Sequence, residues 1–169
     1  FGSFQRYLLD LVLPLYESVG FDNKKDSFLE HRRVTWACKL DHKDCLDKVL
    51  TLYRHWMSHP DNTSIISPNL KATVCCHAIA EGGEAEWDFA WDQYITTSVA
   101  TEKKLLLHSM SCTKQAWILS RYLEMAMNSG NGIRLQDAIF VSRTMSNNDV
   151  GRSLIWDYLT LHWNNIYTL

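Results

Sequence analysis

The sequence predicts an all-α protein, and three observations carry that prediction. Apolar residues recur at intervals of three and four along most of the chain, the spacing that gathers them on one face of an α-helix. Glycine and proline are sparse, seven and three in 169 residues, and most stand at breaks between the periodic segments. No segment shows the period-two alternation of a half-buried strand.

The elements follow in order. In SFQRYLLDLVLPLYESVG, Ser3 is placed to cap a first helix and Gly20 to close it. Its stripe of Phe4, Leu8, Leu11, Val12, Leu15 and Val19 is expected to face a core, with Pro14 as a kink site. After the polar break FDNKKD, Ser27 can cap a second helix reaching about Leu40, and Asp41 a third reaching about Met57. SHPDNTSIISPN reads as a loop, from which Pro68 opens a fourth helix that ends at Gly82 and Gly83. Further helices are expected over about 84–98, 101–111, 114–127, 133–146 and 149–163. Roughly eight or nine helices with mostly tight links favour antiparallel neighbours, either in a closed bundle or as stacked hairpins of a solenoid. No regular internal repeat is visible to choose between these.

Composition limits the function classes. The chain is 46% hydrophobic and 12% aromatic, which fits one helical domain over residues 1–169. A formal net charge of -2, with Lys and Arg scattered among acids, gives no basic field and argues against a nucleic-acid partner. The longest apolar runs fall short of the roughly 20 residues that span a bilayer. The opening residues lack the charged region and cleavage site of a targeting signal.

Each candidate for chemistry has a plainer explanation. His-Glu-x-x-His, which sets two imidazoles beside a carboxylate base on one helical face, is absent. His55 and His59 have i,i+4 spacing, but Pro60 follows the second and no third ligand is near in sequence, so a surface turn accounts for them. Adjacent Cys75 and Cys76 point about 100° apart on a helix and do not easily share one ion. No Gly-rich phosphate loop or Gly-x-Ser-x-Gly elbow occurs. The densest acidic segment, GGEAEWDFAW from Gly82 to Trp91, is explained by carboxylates opposing a positive helix start, each by about 0.3–1 kcal/mol. Trp87 and Trp91 stack at i,i+4, and together with Trp117 and Trp156 they are expected in the core.

The five cysteines add a compartment. Cys38 and Cys45 flank the turn between two expected helices, where a bridge is geometrically reasonable, although sequence alone leaves connectivity open. Asn62-Thr63-Ser64 is a glycosylation sequon in an expected loop, and both features suit an oxidising compartment.

NLKATVCCHAIAEGGEAEWDFAW, then CTKQAWILSRYLE, IRLQDA and VGRSLIWDYLTLHWNNI, occur in this order over about Val34 to Ile166. In that order and spacing the chain resembles the C-terminal domain of enzymes of the aminopeptidase N type, in the gluzincin family of zinc aminopeptidases. The resemblance implies a HEAT- or armadillo-like α-solenoid of stacked antiparallel helix pairs, here truncated, because later helices of that domain have no counterpart. It implies that zinc and the catalytic residues lie in an upstream domain of the parent, so this chain alone has no catalytic residue, metal or other cofactor. The implied role is to shape access of peptide substrates to the active-site cavity, with homodimer contacts in some relatives and a cell-surface, membrane-anchored parent. It implies disulfides pairing Cys38 with Cys45 and Cys76 with Cys112, leaving Cys75 as a core thiol. Arg134, Gln136 and Asp137 match a pattern usually read IRKQDA, with Leu135 in place of lysine; their implied role is to hold helices together, and Arg134 is a candidate to face substrate. A stand-alone helical interaction module is the other reading of the same fold.

Overall fold

The computed structural model describes residues 2–18, 28–62, 64–128 and 132–163. Among them every regular element is an α-helix. In chain order these are α1 (Gly2–Glu17), α2 (Phe28–Lys39), α3 (Lys43–Ser58), α4 (Pro68–Glu81), α5 (Glu84–Thr96), α6 (Ala100–Met110), α7 (Ala116–Met127), α8 (Leu135–Met145) and α9 (Asp149–Leu161). Two compact units result, Phe1–Glu81 and Gly82–Leu169.

In the first unit, α4 packs against both α2 and α3, and α1 packs against α2. The sequence of α4 is apolar on more than one side, and Val74, Cys75, Ala78 and Ile79 are all fully buried. Against it α3 presents Cys45, Val49, Tyr53 and Trp56, four buried residues at helical spacing. Each large side chain so buried contributes on the order of 1.5–3 kcal/mol.

Two expectations for this unit are corrected. The apolar stripe of α1 does not enter a core: Phe4, Leu11 and Leu15 are 47–64% exposed, and Tyr16 is the buried residue of that helix. Leu8 and Val12 of the same stripe are half-buried, and the Tyr16 hydroxyl donates to Asp44 Oδ2 at 2.7 Å. Asp41 does not cap α3. With φ at 59° it is the left-handed residue that closes α2, where the N–H of Asp41 reaches the Cys38 carbonyl and that of His42 reaches the Ala37 carbonyl. His42 takes the N-cap position of α3 without a side-chain bond. Ser3 lies inside α1, which begins at Gly2, and Gly20 and Ser27 fall outside the described residues.

In the second unit α5 packs on α6, α7 on α8, and α9 on both α7 and α8. Its core holds Trp87, Tyr94, Leu106, Leu107, Ile118, Leu119, Tyr122 and Met145. The link from α8 to α9 is tight. A Cβ on Gly151 would collide with the Met145 carbonyl oxygen and lie 3.1 Å from its carbon, so only glycine fits. Asn148 caps α9, its Oδ1 accepting from the N–H groups of Val150 and Gly151. Its Nδ2 donates to the carbonyls of Ser111 and Thr113 at 3.0 and 2.8 Å, binding the α6–α7 link to the α8–α9 link.

Of the four tryptophans expected in the core, Trp87 is buried there, Trp91 is only half-buried, and the other two lie at the surface. Trp117 and Trp156 are 51% and 68% exposed. Trp117 sits one position before the buried Ile118 and Leu119, and its indole N–H donates to Gln115 Oε1. Trp156 follows the buried Ile155, so about 100° of helical rotation carries it off the packed face of α9.

Candidate functional site

The start of α5 is the densest acidic segment of the sequence, and its geometry decides what it can do. Gly83 is the N-cap and has no side chain to offer, so the cap is one-sided: the Gly83 N–H donates to Glu86 Oε2 at 2.8 Å. Glu86 is buried for that purpose. Glu84 and Asp88 instead meet Arg121 of α7, at 3.1 and 2.7 Å. The same guanidinium lies 4.6 Å from the ring centroid of Trp87 and 5.5 Å from that of Trp117. The carboxylates are therefore engaged by a cation of the chain itself.

Beneath this surface the aromatic residues form one connected set. Trp87 is buried, donates its indole N–H to the Met110 carbonyl at 3.1 Å, and stacks on Trp91 with ring centroids 6.0 Å apart. Trp91 is half-buried and tilts against Tyr94. Tyr122 meets Trp87 edge-on at 5.6 Å and donates to the Leu107 carbonyl at 2.9 Å. Burial pushes the Tyr122 phenol well above its ordinary range, helped by the nearby Tyr94 and Asp137. Tyr94 moves in the same direction, again chiefly through burial, with Asp137 adding to the shift and Arg134 opposing it. These groups bind α5, α6 and α7 together; every polar atom named has a protein partner.

Arg134 stands at the N-cap of α8, where its Nε donates to Asp137 Oδ2 at 2.8 Å. Asp137 is buried, whereas the Arg134 side chain is 63% exposed and Gln136 is exposed beside it. Arg134 thus presents a solvent-facing cation held at one end.

The cysteines take two states. Cys38 and Cys45 are bridged, with Cα atoms 5.2 Å apart, across the turn from α2 to α3. Cys76 and Cys112 are each disulfide-bonded, and Cys75 is a buried thiol. Asn62 is exposed after α3, its Oδ1 accepting from the Ser64 N–H at 3.1 Å. Thr63 lies outside the described residues.

These donor sets do not fit zinc. Oxidised Cys76 and Cys112 offer no thiolate, and Glu84 and Asp88 are paired with Arg121. His59 directs Nδ1 toward Ser58 Oγ and the His55 carbonyl, at 3.1 and 3.3 Å.

A groove of about 1010 Å³ lies between α7, α8 and α9 in the second unit, lined by Leu123, Glu124, Met127, Ile139, Leu154, Tyr158 and His162 among others. His162 stacks on Tyr158 with ring centroids 4.3 Å apart. Sequence reasoning missed this groove together with the Arg121 and Asn148 junctions. Signals for the junctions were present: Arg121 stands four residues after Trp117, and Asn148 precedes the last expected helix as a cap would.

A family model described as the ERAP1-like C-terminal domain matches residues 1–169. Aminopeptidase N of Homo sapiens is 35% identical over 178 residues, covering 99% of this chain and 18% of that protein. Aminopeptidase Ey of Gallus gallus is 30% identical over 176 residues, with 99% and 18% covered. Glutamyl aminopeptidase of Bos taurus is 31% identical over 172 residues, with 98% and 18% covered. The chain therefore spans under one-fifth of the length of these relatives, 18%.

Proposed function

The chain belongs to the ERAP1-like C-terminal domain family, and from that premise we propose that it is the non-catalytic helical part of a zinc aminopeptidase. In this reading it forms a HEAT- or armadillo-like stack that shapes access of peptides to a cavity whose zinc and catalytic groups lie upstream in the same polypeptide. The observation that carries the reading is the match along the whole chain to curated aminopeptidases. It is supported by side chains whose charges are satisfied internally, as Glu84 and Asp88 are by Arg121.

The partners are the upstream catalytic domain, peptide substrates and a second copy in a homodimer, with Arg134 as the residue facing the distal end of a peptide. The compartment is extracellular or the cell surface, reached through a membrane anchor elsewhere in the parent; among the described residues no helix is long and apolar enough to cross a membrane. Oxidised Cys38, Cys45, Cys76 and Cys112 favour that compartment. Cys76 is proposed to pair with Cys112, and recovery of either as a free thiol in a non-reducing peptide map of secreted protein would remove that pair. Asn62 is proposed to carry a glycan, read as a mass loss on treatment with a glycosidase that the Asn62→Gln variant does not show.

The rest of the reading frame tests the central proposal. It should encode His-Glu-x-x-His upstream, with a glutamate one or two helical turns beyond as the third zinc ligand. A frame without that motif would favour a stand-alone helical interaction module.

A further inference from the structure

The end of α3 carries a pair of side chains that the proposed role leaves unused. His55 lies in the last turn and His59 at the C-cap, both exposed, with ring centroids 4.8 Å apart and ring planes at 55°. The backbone beneath them is anchored. Trp56 is 3% exposed, and its indole N–H donates to the Pro60 carbonyl at 3.3 Å, tying the residue after His59 back to the helix. The His59 ring is set as well: its Nδ1 lies 3.3 Å from the His55 carbonyl, which only accepts, so Nδ1 carries the proton and Nε2 keeps its lone pair. A ring N–H held by a backbone carbonyl is the support that metal-binding histidines ordinarily have.

The separation of the rings is that of two ligands of one ion. An ion about 2.0–2.1 Å from a ring nitrogen lies about 3.2 Å from that ring's centroid, and two rings meeting it at about 90–110° have centroids about 4.5–5.2 Å apart. The 4.8 Å between His55 and His59 falls within that range. The carbonyl end of α3 adds the negative end of the helix dipole, which favours a cation. Two imidazoles are fewer than the protein ligands of a zinc centre. Copper(II), by contrast, stands highest among these divalent ions in affinity for nitrogen donors, and water can complete its square plane. We propose that His55 and His59 form a surface site for one copper(II) ion, which bridges the last turn of α3 to its C-cap. Once one imidazole holds the ion the second binds intramolecularly, so the pair binds more tightly than either ring alone. This site stands whether or not the parent is an aminopeptidase.

Histidine acylation by diethyl pyrocarbonate in the full polypeptide, read by peptide mass spectrometry, tests the site, because the tryptic peptide from His55 to Lys71 carries both rings and no other histidine. Low-micromolar free copper(II) should slow acylation of both rings about tenfold or more, while zinc(II) at the same level leaves both reactive. Rings that stay fully reactive in copper(II) overturn the proposal, and equal protection by zinc(II) overturns the assignment to copper. The variant His55→Gln keeps the backbone carbonyl that sets the His59 ring, and because the side chain is exposed its urea midpoint without metal should be unchanged. In it His59 should react in copper(II) as fast as without metal, and His59→Gln should free His55 in the same way. Protection that persists in either variant would mean that a single ring holds the ion and would overturn the shared site.

Discussion

Replacing Asn148 separates two jobs that one side chain performs. Its Oδ1 caps α9, and its Nδ2 holds the carbonyls of Ser111 and Thr113, in residues only 2% and 1% exposed. Loss of the cap costs about 1 kcal/mol. Leaving two buried carbonyls without a donor costs at least about 1 kcal/mol each. Asn148→Ala is therefore expected to destabilise by about 3 kcal/mol, read as a lower urea midpoint with an unchanged slope. Asn148→Ser keeps a cap acceptor and loses both donors, so about 2 kcal/mol is expected. Asn148→Asp decides between the two jobs. Aspartate caps as well as asparagine, but it sets a carboxylate against two carbonyl oxygens and should cost at least as much as alanine. An aspartate variant as stable as the native protein would refute the tie between the two links and leave Asn148 an ordinary cap.

Gly151→Ala should destabilise by about 2 kcal/mol or more through overpacking, although alanine ordinarily gains about 1 kcal/mol over glycine within a helix, because the added Cβ meets the backbone of Met145; a stabilised variant in thermal unfolding would contradict the close approach. Opening the Cys38–Cys45 bridge by a double serine substitution removes a closed loop set by a sequence separation of 7, with an expected loss of roughly 2.5 kcal/mol in urea unfolding. Burial raises the Tyr122 phenol, so the fold keeps it protonated where the unfolded chain ionises near pH 10. Its contribution is thus fully present below pH 10 and is lost as pH rises further. In Tyr122→Phe the alkaline decline in stability should be shallower, and an unchanged slope would remove Tyr122 as its source.

The helices were legible because their signals are local. Pro68, Gly83 and the periodic apolar residues between breaks act within a few positions, and the described helices begin and end within a few residues of the expected ones. What covers a face is a long-range matter. The α1 stripe of Phe4, Leu11 and Leu15 has helical spacing, but periodicity does not reveal whether a neighbour arrives, and here it stays exposed. Tryptophan is ambiguous for a related reason: Trp87 and Trp117 have the same amphipathic ring, one sealed in the core and the other laid against Arg121 at the surface. Asp41 is a good cap by composition, but a short carboxylate also tolerates the left-handed region, and the closure of α2 used that property instead. The acidic segment was legible as a helix start rather than as a site. Its counter-ion, Arg121, stands 33 residues from Asp88 and was beyond local reasoning.

In the proposed reading this chain serves an aminopeptidase without performing its chemistry. Zinc content and aminoacyl-reporter turnover, measured side by side on residues 1–169 and on the full polypeptide, test it most directly. Stoichiometric zinc and turnover are expected in the full polypeptide, with neither in the 169-residue chain. Stoichiometric zinc with measurable turnover in the short chain, or a full polypeptide without either, would contradict it.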